Sequence, residues 1–322
     1  MHASTGGAGD EIIVCTALDE NYLPLAPIVA TSIAASAAPG RRVAFHILYD
    51  GPDNWVTRRL LRWRHPAVEV VLHRLQNPYA GFGEVSGLPP STLFRFVVPE
   101  VLERLDRAIY LDADLIVEAD LGELYHSPLH GRPLGAALDI RVVDEAINPL
   151  PEWRQRREAM RNYLVGTLGF DGPDSMRGYV QAGVALLDLS KLRELGYTAR
   201  MIDTMRRLGD ALRHADQCAI NAAFVGEITI LDPRWNVTPE ALAVGMWDNV
   251  APELRPAVAS QRRDPRIIHF AGRKPWRRRS MTAGDRWWRH ARRSGVAHHF
   301  ARQYLVDRTW GNLAKLLRSR RS

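Results

Sequence analysis

Two aspartates one residue apart close an apolar run. Arg107–Val117 reads R-A-I-Y-L-D-A-D-L-I-V, so Asp112 and Asp114 stand where a strand runs out. In extended backbone, side chains two residues apart point the same way. Burying two carboxylates together without a cation costs several kcal/mol, roughly the order of an unpaired buried charge. A divalent ion removes that cost, held by oxygens of both groups with positions left for substrate phosphates. An exposed acidic turn is the competing explanation. The glycine patterns that cradle phosphates are absent: there is no G-x-x-x-x-G-K-[ST], and Gly81-Phe-Gly83-Glu-Val-Ser86 lacks the third glycine of G-x-G-x-x-G and follows no clear strand. A nucleotide site in this chain therefore has to be built from carboxylates at strand ends.

The elements that would position them alternate along the chain. Ile12–Ala17 suits a buried strand and Leu23–Ala38 a charge-free helix; Val43–Tyr49 is a second strand, Asp53–Arg64 a helix with Asp53 as N-cap, and Val68–Leu72 a third strand. Asn77–Pro90, rich in glycine and proline, is a long loop; Ser91–Leu105 follows as helix and Arg107–Leu111 as strand. Leu134–Leu138 and Val184–Leu189 are further buried strands, with a charged helix Glu152–Leu164 between them. Lys191–Leu208 and Asp216–Phe224 are expected to be helical, Ile228–Leu231 and Arg266–Phe270 extended. Strands separated by helices at this spacing imply a mostly parallel sheet covered on both faces, with sites at the carboxyl ends of the strands.

Composition removes several classes. With 322 residues, 46% hydrophobic and 25% charged, the chain is neither collagen-like, disordered nor a small disulfide scaffold. Cys15 and Cys218 form no C-x-x-C pair; Cys15, inside an apolar run, reads as a small buried hydrophobe, and a reducing compartment fits. There is no stretch of 18 apolar residues and no basic, then apolar, start, so neither secretion by that route nor a membrane span is expected.

The formal charge of +7 first suggests nucleic acid or an anionic membrane as partner. It is not evenly spread: Arg273–Ser322 holds 15 Lys and Arg against Asp285 and Asp307, leaving the preceding body acidic. This segment interleaves arginines with Trp287, Trp288, Phe300, Tyr304, Leu305, Trp310, Leu313, Leu316 and Leu317. Such composition suits an anionic bilayer surface. Nucleic-acid stacking, a solvated tail and a helix packed on the body compete with that assignment. The chain is thus expected to divide into a disordered N-terminus 1–10, an acidic body 11–278 that would form one folded domain, and a basic, aromatic tail 279–322.

Two family resemblances bear on the aspartate pair. Asp112-Ala-Asp114-Leu-Ile116 resembles the D-x-D-x-[TV] nucleophile loop of haloacid-dehalogenase-type phosphatases, but that loop follows a domain's first strand and here at least three strand-like segments precede it. The ordered set T-A-L-D-E-N-Y (Thr16–Tyr22), S-T-L-F-R (Ser91–Arg95), Y-L-D-A-D (Tyr110–Asp114), Q-A-G-V-A-L-L-D-L (Gln181–Leu189), H-A-D-Q (His214–Gln217) and H-F-A-G-R-K-P-W (His269–Trp276) resembles family 8 glycosyltransferases over about Glu11 to Trp276.

That resemblance implies a GT-A fold, an α/β architecture with a single Rossmann-like mixed sheet and helices on both faces. It implies retaining transfer of a hexose, galactose or glucose, from UDP-galactose or UDP-glucose to a glycan or lipid-linked glycan acceptor. Asp112, Asp114 and His269 match the metal ligands; two carboxylates with an imidazole suit Mn²⁺, with Mg²⁺ as the other candidate. Ala17, Asp19, Asn21, Tyr22, Arg95, Asp112, Ala113, Asp114, Gln181, Gly272 and Lys274 match the nucleotide-sugar site. Within it Tyr22 would stack on the base, Gly272 would let backbone approach phosphate, and Lys274 would supply charge. Asp139 and Asp216 match carboxylates that hold donor-sugar hydroxyls, Gln217 the side chain nearest the anomeric carbon, and Arg95 a bridge between diphosphate and sugar. Two departures stand out: Gln181 replaces the family's usual asparagine, and H-x-x-G-x-K-P-W is one residue shorter than usual. The implied setting is cytoplasmic, peripheral on the inner face of the membrane through the tail, with no nucleic-acid partner. The alternative of a different class is a membrane- or nucleic-acid-binding protein with a vestigial nucleotide-sugar site.

Overall fold

The computed structural model describes residues 11–76, 90–278 and 280–304. The expected N-terminus 1–10, the loop 77–89 and the tail from 305 on, with its Leu313–Leu317 set, lie outside the described residues. Among the described residues nine strands form: β1 (Glu11–Asp19), β2 (Arg42–Asp50), β3 (Val68–Arg74), β4 (Arg107–Leu111), β5 (Leu115–Val117), β6 (Leu134–Leu138), β7 (Val180–Asp188), β8 (Ile228–Ile230) and β9 (Ile267–His269). Seven make one sheet in the order β3-β2-β1-β4-β7-β6-β8, and β5 pairs with β9 in a separate ribbon. Alternation sorts the apolar side chains: in β1, Ile12 and Val14 enter the core on one face, Ile13 and Cys15 the core on the other. Helices cover both faces.

Strand direction decides where the chemistry gathers. β1, β2, β3 and β4 run parallel, whereas β7 runs antiparallel to both β4 and β6, which makes the sheet mixed. The carboxyl ends of β1, β4 and β6 therefore share one edge with the amino end of β7. Asp19, Asp112, Asp139 and Gln181 meet there although far apart in sequence. The ribbon completes the edge: Leu115 in β5 pairs with His269 in β9 and so brings the imidazole beside Asp114.

Several local expectations are corrected. Ser91–Leu105 is not a continuous α-helix; a 3-10 segment, Pro90–Val97, passes into one turn at Val98–Val101, because Pro99 has no N–H and β-branched valines disfavour a long helix here. The helix Trp55–Arg62 is capped by Asn54 rather than Asp53: Asn54 Oδ1 accepts from the backbone of Val56 and Thr57 while Thr57 closes a reciprocal capping box. Gly196, with φ of 61°, breaks Lys191–Leu208 into two helices, Leu189–Glu194 and Tyr197–Leu208.

The beginning of the basic tail is part of the body. The helix Gly284–Ser294 buries Trp287, His290, Ala291 and Ser294 on one stripe and packs on the charge-free helix Ala26–Ser36. Trp287 is fully buried, its ring centroid 5.2 Å from Trp276 and 5.1 Å from Phe300. Among the described residues, no helix is long and apolar enough to cross a membrane.

Candidate active site

The two aspartates fall in the break between β4 and β5, where the chain leaves the sheet but Asp112 N–H still donates to Gly183 O at 2.8 Å. Both face the same imidazole: His269 Nε2 lies 3.1 Å from Asp114 Oδ1 and 3.5 Å from Asp112 Oδ2, and all three ligand atoms lie within 4.8 Å of one another. Neighbouring ligands of an octahedral ion bound at about 2.1 Å stand about 3 Å apart, so the triad has the separations such an ion needs. Space is reserved for it: a Cβ on Gly183 would lie 2.2 Å from His269 Cε1 and 2.6 Å from Asp112 Oδ2. The donor set therefore fits a divalent cation such as Mn²⁺ or Mg²⁺.

Protein cations balance the pair. Lys274 Nζ contacts Asp114 Oδ2 and donates to Phe270 O at 2.8 Å, which places the ammonium directly on Asp114. Together with His269 it holds the Asp114 carboxyl well below the usual range, against the opposing effect of burial. Arg95, buried at 8% exposure, reaches Asp112 Oδ1 at 2.5 Å, Asp216 Oδ2 at 2.7 Å and Ala182 O at 3.2 Å. Its Nε–H is not aligned on an acceptor, so its contact with Asp216 is ionic only. Burial raises the Asp216 carboxyl to about 6 despite this arginine.

Asp216 and Gln217 start the helix Ala215–Ala223, and buried Ala215 turns into it at a φ of 36°, a left-handed conformation costly for alanine. Gln217 Nε2 donates to Asp139 Oδ2 at 2.9 Å and to Tyr179 Oη at 3.2 Å. Both amide protons are thus engaged and the amide oxygen is left for a ligand. Asp139 also caps Ile140–Ile147, its Oδ1 accepting from Val142 N–H at 3.1 Å.

The remaining sequence candidates distribute as follows. Asp19 Oδ1 accepts from Tyr22 N–H at 3.0 Å, the turn-capping contact that an ordinary Asp-x-x turn makes. Ala17, Asp19, Tyr22, Arg95, Asp112, Ala113, Asp114, Asp139, Gln181, Asp216, Gln217, Gly272 and Lys274 all line one cavity of about 950 Å³, together with His269. Asn21 does not; it borders a neighbouring cavity of about 290 Å³ with Tyr22, Gly272 and Lys274. Gln181 Oε1 accepts from Gly183 N–H at 2.8 Å and from Asn236 Nδ2. Three residues were not singled out from sequence. Asn236 Oδ1 meets His269 Nδ1 at 3.0 Å, which leaves Nε2 to face the carboxylates. Tyr179 orients Gln217, and Gly183 leaves room for the triad.

Known proteins are similar to much of this chain. The General stress protein A of Bacillus subtilis is 24% identical over 287 residues, 83% of this chain and 88% of that protein. The lipopolysaccharide 1,2-glucosyltransferase of Escherichia coli is 22% identical over 189 residues, 58% of this chain and 49% of that one. Some relatives are thus much longer than the match, which spans 39% of another from Haemophilus influenzae. The crystal structure of the galactosyltransferase LgtC with donor and acceptor sugar analogues superposes with a TM-score of 0.70 at 24% identity, covering 87% of this chain and 95% of that one, which establishes the GT-A fold. The family model described as glycosyl transferase family 8 matches residues 13–280, and the chain belongs to that family.

Proposed function

We propose that the chain is a retaining, Mn²⁺-dependent glycosyltransferase that moves a hexose, galactose or glucose, from a UDP-sugar to a glycan or lipid-linked glycan acceptor. The observation that carries this reading is the Asp112, Asp114 and His269 triad, joined through buried Arg95 to Asp216 beside a neutral Gln217. A divalent ion held there would neutralise the diphosphate of the departing UDP. Lys274, beside Asp114, would share that anionic load, and Tyr22 offers its ring to the base. Asp139 and Asp216 hold sugar hydroxyls, with Arg95 fixing Asp216 in place.

Retention by double displacement needs a free carboxylate below the anomeric carbon. Gln217 is neutral, Asp139 has both oxygens engaged, and Asp216 faces Arg95. These contacts favour departure and attack on one face: the bond from the anomeric carbon to the β-phosphate oxygen breaks, the acceptor oxygen bonds to that carbon, and its proton passes to the departing phosphate. Trapping a sugar on Asp139 or Asp216 of the wild-type protein would refute this route. Measuring UDP release with Mn²⁺ across UDP-sugars tests the donor: release from UDP-galactose or UDP-glucose is expected, and release from none of them overturns the reading.

The tail belongs to the same reading in altered form. Trp287 is buried and Trp288 half-buried against the body, so among the described residues contact with the cytoplasmic face of an anionic membrane would rest on exposed Arg289, Arg292 and Arg293. Replacing these three by Gln should abolish sedimentation with anionic vesicles; unchanged sedimentation refutes the contact.

A further inference from the structure

The lining of the large cavity extends beyond the residues assigned to the donor. Its contents form an ordered path: the triad, then Arg95, then Asp216 and Gln217, then Asp139 at the start of the helix Ile140–Ile147. Beyond that point the lining changes character. Arg141 reaches His214 Nε2 at 3.3 Å and Glu145 at 3.6 Å, and Arg213, Arg156, Trp153, Met246 and Trp247 complete this end.

Three properties of this end set it apart. First, it is cationic: three arginines, Arg141, Arg156 and Arg213, stand with two carboxylates, Glu145 and Asp144, the latter turned to Asn148 and the Ala251 N–H through its Oδ1. Second, two of these arginines have no carboxylate partner among the described residues and lie instead on aromatic plates, Arg156 at 5.3 Å from the Trp153 ring and Arg213 at 4.1 Å from that of Tyr163. A guanidinium held on a ring is oriented while its N–H edge stays open to an anion. Third, the Trp247 indole N–H is buried with no hydrogen-bond partner among the described residues, beside exposed Met246. A donor left unpaired and aromatic faces are what a sugar ring, with hydroxyls on its edge and C–H groups on its faces, engages.

The diphosphate does not explain these arginines, because its counter-charges, the ion the triad would hold and Lys274, lie at the other end of the path. Resting on the donor assignment made above, we propose that this end is the acceptor subsite and that the acceptor is an anionic saccharide, a sugar bearing a carboxylate or a phosphate near the hydroxyl that is glycosylated. Arg156 and Arg213 clamp the anion, and Trp153 and Trp247 face the ring.

The test is direct binding by the full chain in the presence of Mn²⁺ and UDP, followed by ligand-observed NMR. The probes are lactose, a glucuronyl-terminated disaccharide and lactose 6′-phosphate. At low salt at least one anionic probe should bind roughly fivefold or more tighter than lactose, and the gap should shrink as salt rises. The double variant Arg156→Gln with Arg213→Gln should erase the preference, whereas Arg156→Lys with Arg213→Lys, which keeps both charges, should retain part of it. Preference for the uronate or for the phosphate identifies the anion. Equal or tighter binding of lactose, no binding of either anionic probe, or an undiminished preference in the glutamine variant overturns the proposal. UDP binding with Mn²⁺ is read separately in the same samples, so failure of the donor assignment is distinguishable from failure of this one.

Discussion

Replacing Gly183 by alanine isolates the geometry of the metal triad from the rest of the strand. The glycine sits in β7 with a φ outside the left-handed region, so alanine meets no backbone penalty there. What it meets is the triad: its Cβ would stand 2.2 Å from His269 Cε1, 2.8 Å from His269 Nδ1 and 2.6 Å from Asp112 Oδ2, where ordinary contact begins at 3.4 Å. Relief therefore demands a displacement of about 1.2 Å, while metal–ligand distances tolerate only about 0.2 Å. His269 has little freedom to yield, because its N–H donates to Val237 O at 2.8 Å and its ring is held by Asn236. Gly183→Ala should lower Mn²⁺ affinity by roughly 10- to 100-fold, the range for disturbing a ligand's support. Overpacking should also cost about 1–3 kcal/mol of stability. Electron paramagnetic resonance of free Mn²⁺ during titration reads the first, and calorimetric melting the second. A variant that melts cooperatively and binds Mn²⁺ as tightly as wild type would refute the reasoning.

Asn236→Ala frees His269 Nδ1 and should weaken Mn²⁺ binding roughly tenfold or more by isothermal titration, with Asn236→Asp retaining binding as an alternative acceptor. Lys274→Met should move two affinities in opposite directions: Mn²⁺ alone should bind about two- to fivefold tighter, because Asp114 loses a competing cation, while UDP in the presence of Mn²⁺ should bind roughly tenfold more weakly. Asp216, raised to about 6 by burial, gives two pH trends of opposite sign. The native state binds a proton there that the unfolded chain has released, so this group's contribution to stability declines as pH rises from about 4 to about 6. The ionised form is the partner of Arg95, so kcat/KM for UDP-sugar hydrolysis should rise through about pH 6; a flat profile from about pH 5 to 7 contradicts the role given to Asp216.

What the sequence disclosed followed from local pattern. Asp112 and Asp114 are legible because an apolar run ends on them, and the β-α alternation is legible because buried strands and amphipathic helices differ in period. Strand direction is not, since a period of two reads the same forwards and backwards, and so the reversal of β7 that brings Gln181 to the site had no local signal. Asn236 is invisible for a related reason: a lone asparagine gains meaning only when the ribbon β5–β9 folds His269 beside it, 33 residues further along the chain. Asn54 outcompetes Asp53 as cap because Thr57 stands three residues after it, a spacing that was there to be read. In the tail, the stripe Trp287, His290, Ala291 and Ser294 has helical period, but its two small members hid the packing face among arginines, and composition alone favoured a membrane.

If the triad serves a nucleotide-sugar site, as proposed, diphosphate binding there depends on a metal ion. Titrating UDP into the full chain by calorimetry, once with Mn²⁺ and once with a chelator, tests it most directly. Saturable binding with Mn²⁺, a loss of at least about tenfold in the chelator, and no metal-dependent gain in Asp114→Asn are expected. Equal affinity with and without the ion, or a metal-dependent gain that survives in Asp114→Asn, would contradict it.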